Sequence, residues 1–257
     1  MGENVEIITV DASNVDKQGF FCYKSKKKTE GYRGKLAWLK QRFSEGMQIK
    51  MLVEDGRSVG FIEYIPGEFA WRAVNAADYR VIHCLWVVGK AKGKGYGKQL
   101  LNACIEDARQ SGAKGVVMVA SSGNWLAKPS LFLSQGFEVV DQAPPSFSLL
   151  VKRFDESAPL PTFPIDWEAR LAHYGEEFTI LYTPQCPYNA KAIEVIADAA
   201  ATFGLKAQVV ELQSAQEVQS RAPSAYGTFN VVYKGELVAY HWIGEKELRK
   251  FFASNPL

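Results

Sequence analysis

Histidine occurs only three times in the 257 residues, and cysteine four times, at Cys22, Cys84, Cys104 and Cys186. No two of these cysteines form a C-x-x-C pair, and none clusters with histidine at zinc spacing, so no metal site is expected. Scattered free thiols suit a reducing compartment, and the chain is read as cytoplasmic. No apolar run approaches the ~20 residues of a membrane span, and residues 1–14 hold no signal-peptide core. The sequence begins Met-Gly, but Glu6 breaks the N-myristoylation pattern. Charge of one sign is lacking too. A net charge of +2 argues against a dominant polyanionic partner. The cluster Lys24, Lys26, Lys27 and Lys28 therefore reads as a solvated approach to a helix rather than a nucleic-acid patch.

Glycine is concentrated where it carries information. An apolar run (Val81, Ile82, Cys84 to Val88) leads into a loop with Gly93, Gly95 and Gly97 at alternate positions. Leu100, Leu101, Cys104, Ile105 and Ala108 then recur at helical spacing. This is strand, glycine-rich turn, helix. Glycines there permit positive φ and close approach of backbone to a ligand. The unpaired N–H groups and dipole of the following helix bind phosphate oxygens, and Lys92, Lys94 and Lys98 add charge. The glycine spacing is not that of a Walker loop, because three residues rather than four separate Gly89 from Gly93 and no Ser or Thr follows either lysine. Nor is it G-x-G-x-x-G.

The segment Lys92-Gly93-Lys94-Gly95-Tyr96-Gly97 resembles the acetyl-CoA motif of the GNAT acetyltransferases, with Lys92 in place of the usual Gln or Arg. A second segment, Leu131-Phe132-Leu133-Ser134-Gln135-Gly136-Phe137, is similar to the family's aromatic helix start ending in Gly-Phe. The resemblance covers about residues 5–152. It implies acetyl-CoA as co-substrate, with Lys92 to Lys98 on the pyrophosphate and Leu85, Trp86, Val87 and Val88 along the pantetheine. It places Phe132 beside the cofactor, where the family commonly has a Tyr that protonates the departing thiolate; a phenyl ring has no proton to give. The family's general base often lies near the position of Val81. His83 follows two residues later on the same strand face and has a suitable intrinsic pKa. A histidine on a strand is alternatively a satisfied structural residue. Glu63, Tyr64 and Glu68 are further candidates for the base.

Elsewhere, Val5 to Val10 reads as a strand, and Leu36, Leu39 and Phe43 mark one face of a helix from Tyr32 with Trp38 beside them. Gln48–Val53 and Val59–Ile65 form a hairpin about Asp55-Gly56. Strands at Gly115–Ala120, Phe137–Val140 and Phe147–Lys152 complete an α+β domain over residues 1–154. A proline-rich linker, residues 155–165, precedes a smaller unit at 166–257. Its order (a strand at Phe178–Tyr182, a helix, a strand at Ala207–Leu212, a hairpin, a last helix) is similar to thioredoxin-like α/β folds. Cys186 falls where those folds keep a nucleophilic thiol, at a helix start that lowers thiol pKa. Asn189 occupies the companion position, and Gly227-Thr228-Phe229 stands where a cis-proline is expected. The whole arrangement resembles GNAT proteins ending in a YoaP-like domain.

The expected function is transfer of an acetyl group from acetyl-CoA to a primary amine, by direct attack. Two other classes compete. One is a non-catalytic acyl-CoA sensor whose second unit docks a partner, favoured by Phe132. The other is a monothiol redox protein using Cys186.

Overall fold

A computed structural model of the chain describes residues 4–123 and 126–254; the outer ends of the two expected units lie outside them. The elements in chain order are β1 (Val5–Val10), α1 (Val15–Gln18), α2 (Glu30–Arg42), β2 (Gln48–Glu54), β3 (Arg57–Pro66), β4 (Arg80–Val87), α3 (Tyr96–Gln110), β5 (Gly115–Ser121), α4 (Pro129–Leu133), β6 (Glu138–Ala143) and β7 (Phe147–Arg153). There follow α5 (Trp167–Ala172), β8 (Phe178–Tyr182), α6 (Asn189–Ala201), β9 (Ala207–Glu211), α7 (Ala215–Arg221), β10 (Phe229–Tyr233), β11 (Glu236–Ala239) and α8 (Glu245–Ser254). Content is mixed α/β.

The first seven strands form one sheet in the order β1-β2-β3-β4-β5-β7-β6. Only β4 and β5 run parallel; the connection between them carries α3. Alternating side chains divide the sheet into two faces. One buries Ile62, Tyr64, Ile82, Leu85, Val116 and Met118 against Leu100, Leu101, Cys104 and Ala108 of α3. Phe132 lies fully buried in this core, edge-on to Phe137 at 5.4 Å between ring centroids. The opposite face carries Ile49, Met51, Ile65, Val81, Val117 and Val119 under Trp38 and Leu39 of α2. Thr29 caps that helix, its hydroxyl accepting from Tyr32 N–H. The inward stripe of α2 is Tyr32, Lys35, Trp38 and Leu39, so Trp38 points in rather than beside the stripe, and a lysine points in with it.

The remaining strands form a second sheet, β11-β10-β8-β9, with β8 and β9 parallel. Ile180, Phe229 and Val231 of this sheet, with Ile196 of α6 and Phe252 of α8, belong to the same buried cluster as Trp38 and Val81. The proline-rich run between the sheets is tied down along its length. Pro159 O accepts from Tyr79 O–H at 2.7 Å, Thr162 bridges Asn75, and Phe163 N–H donates to Asp141 at 2.7 Å. The Gln219 amide on α7 donates to Ala70 O at 2.9 Å. Closest of all is the approach of α2 to the turn before α6: a Cβ on Gly31 would sit 2.0 Å from the Pro187 carbonyl oxygen.

Two glycines three residues apart on α2 should therefore respond oppositely to alanine. Gly34→Ala, with nothing within 4 Å, should raise stability by up to ~1 kcal/mol through helix propensity. Gly31→Ala should lose about 1–3 kcal/mol through overpacking. Chemical denaturation of both variants checks this; equal stabilisation would mean that α2 does not seat on the second unit.

Candidate functional site

The helix α3 begins on backbone alone. Gly93 (φ 85°) and Gly95 (φ 80°) both adopt the left-handed region, which a Cβ disfavours. Gly95 is the N-cap, with no side-chain cap, and the first helical bond runs from Gln99 N–H to Gly95 O at 3.1 Å. The preceding amide groups of the first turn have no place in the helical ladder. A Cβ on Gly93 or Gly95 would point into open space. That space is a cleft of about 450 Å³ lined by Leu85, Trp86, Val87, Lys92, Gly93, Gly95, Tyr96, Gly97 and Lys98, with Ala91 and Leu131. Three expected residues lie off it. Val88 extends the β3–β4 pairing through its N–H to Val59 O at 2.9 Å. Lys94 pairs with Glu54 at 2.8 Å, and the Tyr96 hydroxyl donates to the same carboxylate. Phe132 faces the core, and its neighbour Leu131 faces the cleft.

The cleft ends where β4 and β5 part. They pair only at Arg80–Val116, Val81–Val117 and Ile82–Met118. Beyond that, β4 stays paired with β3 as far as Val87–Gly60, and β5 with β7 as far as Ser121–Phe147. The β4 edge from His83 onward faces β5 without a ladder. At the same place β4 bulges: Cys84 lies opposite Glu63 and Ile82 opposite Tyr64, leaving His83 as the extra residue. A bulge breaks alternation, so His83 and Cys84 both line a cavity on the α2 face of the sheet.

That cavity, about 60 Å³, is walled by Phe61 and Glu63 of β3, Lys35 of α2, Arg72, and the segment Phe20 to Cys22. The second unit closes it with Gln185, Cys186, Pro187 and Tyr226. Four polar groups here are almost fully buried: Lys35 (4% exposed), Glu63 (2%), Arg72 (2%) and His83 (1%). The Lys35 ammonium lies 2.7 Å from Glu63 Oε2. Glu63 Oε1 and His83 Nδ1 are 3.5 Å apart, and neither has a hydrogen-bond partner among the described residues. Trp71 N–H donates to His83 Nε2 at 2.9 Å, which fixes the neutral tautomer with its proton on Nδ1. The Arg72 guanidinium donates to Trp71 O, Gln185 Oε1, Thr228 Oγ1 and His83 O.

Protonation states follow from burial and partners. Burial depresses His83 to about 4, outweighing Glu63 nearby. Burial would raise Glu63, but Lys35 and His83 override it and hold the carboxyl at about 2. His83 thus has its acceptor nitrogen engaged and little appetite for a proton, which suits a positioning role better than that of a base. Cys186 also departs from expectation: burial raises its pKa more than the Tyr188 N–H bond lowers it. The helix α6 starts three residues later, at Asn189, whose amide donates to Thr183 O and Thr228 O. Burial likewise pushes Cys84 up to about 12. Lys35, Arg72, Gln185, Tyr226 and Thr228 complete the site without having been singled out from sequence. Lys35 left a trace as a lysine inside the apolar stripe of α2, and Thr228 as part of the segment standing where a cis-proline is expected.

A neutral buried histidine makes stability depend on pH with a definite sign. Between pH ~6.5 and ~4 the unfolded chain binds the His83 proton and the folded chain does not, so stability falls as pH falls. Below ~4.5, protonation of Glu63 in the unfolded chain adds to the loss. Thermal melts across this range should show the decline in wild type and a flatter profile in His83→Gln; an unchanged slope would place the titration elsewhere.

Comparison with known proteins agrees with this geometry. The Acetyltransferase (GNAT) family profile matches residues 14–129. The chain is 31% identical to the uncharacterized N-acetyltransferase YoaP of Bacillus subtilis (strain 168) over 246 residues, 95% of this chain and 96% of that one. It is 33% identical over 110 residues, 43% of this chain and 61% of the relative, to the L-methionine sulfoximine/L-methionine sulfone acetyltransferase of Salmonella typhimurium. The structure of the PaiA N-acetyltransferase of Thermoplasma acidophilum in complex with coenzyme A aligns over 59% of this chain and 99% of its own. At 16% identity and a TM-score of 0.43, that likeness is too loose to add to the case. The end-to-end match to YoaP and the family match across the glycine turn lead to one conclusion: the chain belongs to the GNAT family of acetyltransferases.

Proposed function

We propose that the protein is an acetyl-CoA-dependent N-acetyltransferase that moves the acetyl group to a primary amine by direct attack. The observation that carries this reading is the parting of β4 from β5. It lies between a glycine cradle, lined by β4 from Leu85 to Val87, and a buried polar cavity, lined by the adjacent His83 and Cys84. The open N–H groups from Lys92 to Lys98 hold the pyrophosphate, and the β4 edge from Leu85 to Val87 takes the pantetheine amides. The amine enters the cavity on the α2 face. Its lone pair forms the new C–N bond as the C–S bond breaks, with the thioester oxygen polarised by a backbone N–H near Val87. Proximity and a neutral amine supply most of what this reaction needs. Neither Glu63 nor His83 is tuned to accept a proton at neutral pH, so the amine arrives deprotonated from water. Water takes the proton that the nitrogen sheds as the C–N bond forms. Phe132 lies in the core, and solvent protonates the leaving thiolate.

The second unit reads as thioredoxin-like. Its strand order β11-β10-β8-β9, with β8 and β9 parallel and the hairpin antiparallel, supports that reading. Residues 166–257 then act as a wall of the acceptor cavity rather than as a redox module, since burial keeps the Cys186 thiol protonated.

Calorimetric titration with acetyl-CoA should show binding by wild type and at least ~100-fold weaker binding by Gly95→Val. That side chain would strain a positive φ by ~1–3 kcal/mol and fill the cradle; undiminished affinity would remove the glycine turn from the cofactor site. The pH dependence of kcat/KM should follow the acceptor amine's own titration. An inflection near pH 6.5 instead would mean that a side-chain base of ordinary histidine character exists.

A further inference from the structure

Charge in the acceptor cavity does not balance. Lys35 and Arg72 bring two positive charges, Glu63 one negative charge, and His83 none. Glu63 is matched by Lys35 at 2.7 Å. Among the described residues Arg72 meets no carboxylate: its partners are three neutral oxygens of carbonyl or amide groups and the Thr228 hydroxyl. A buried cation without a counter-ion is unfavourable, and a guanidinium remains charged at any physiological pH. The fork is also incompletely used. Nη1 serves Trp71, Gln185 and Thr228, and Nη2 serves His83 O, which leaves the Nε–H and one Nη2–H. The Nε–H lies on the edge with which arginine, through Nε and Nη2, grips a carboxylate bidentately. Across the cavity, Glu63 Oε1 is buried and faces only the His83 Nδ1–H, at 3.5 Å, which leaves a lone pair for a closer N–H donor.

Size narrows the ligand. A water-sized group needs roughly 10–15 Å³ of such volume, so about 60 Å³ holds around five non-hydrogen atoms. An amino nitrogen, one carbon and a carboxylate make five. A phosphate has as many non-hydrogen atoms, but it offers no N–H to Glu63 and its charge would overshoot a single unbalanced one.

Resting on the acetyltransferase reading above, we propose that the acceptor is a small α-amino acid. Arg72 binds its carboxylate and Glu63 holds its amino group. The second unit enforces the choice, because Gln185 and Thr228 hold the arginine in place from outside the first sheet.

The test is product formation by mass spectrometry with acetyl-CoA. Each standard L-amino acid is compared with its α-amide and its decarboxylated amine, at equal concentrations of neutral amine. The expected result is a kcat/KM for the best amino acid on the order of 100-fold above its amide, the scale of losing one partner of a buried charge pair. Arg72→Gln should erase that preference. Because removing Arg72 risks the fold, Thr228→Val and Gln185→Leu serve as milder variants. Each should raise KM for the amino acid about 10-fold and lower its kcat/KM more than that for the amide, whereas a merely structural role would lower both alike. Amides or simple amines used as well as amino acids, or variants that depress both substrates equally, would overturn this inference and leave the acetyltransferase intact. Tight acetyl-CoA binding with no acetylation of any panel member would overturn the acceptor cavity itself.

Discussion

Strand β4 has one residue more than β3 can pair with, and the site is arranged around that surplus. With strict alternation, one of His83 and Cys84 would point into the α3 core. The bulge turns both toward the cavity and lets Leu85 return to the apolar face beside Ile82. Bulges sharpen local twist, and here the bulge coincides with the end of pairing to β5. The result is an unladdered strand edge, with an N–H-rich helix start at its far end and buried charges behind it.

Those charges are tolerable because each is held from several directions. The Lys35–Glu63 pair is stacked against Trp38, the ammonium lying 4.3 Å from the ring centroid. Arg72 lies 4.9 Å from the Tyr226 ring centroid and takes its oxygen partners from both sheets. Removing either partner of such a cluster leaves a charge in a medium that cannot solvate it. This is why the carboxylate stays ionised and the imidazole neutral.

Much of this was legible in the sequence, for reasons that differ between parts. The glycine turn could be read because its residues are dictated by local backbone geometry: positive φ at Gly93 and Gly95 needs no tertiary context. Strand and helix positions followed from periodicity, and the order of strands and helices expected in each half survives in the structure. The bulge was not readable, since Val81 to Val88 is one continuous apolar-rich run whose pairing depends on β3. The cavity was hidden for a related reason: Lys35 and Glu63 are 28 residues apart, and Arg72 and Thr228 are 156 apart. Cys186 shows local reasoning overruled, because proximity to a helix start pulls its pKa down and burial between the sheets pushes it further up. Phe132 shows the reverse of a missing acid, as an aromatic residue completing a core.

The buried apolar cluster that runs from Val10 and Trp38 to Phe229 and Phe252 without a break at the proline-rich run has a thermodynamic corollary. Two sheets that share one interior cannot melt independently at the boundary between them. The free energy of any ligand bound to the first sheet is therefore credited to β8–β11 as well, and a destabilising change in the second sheet lowers the population of binding-competent first sheet by the same linkage.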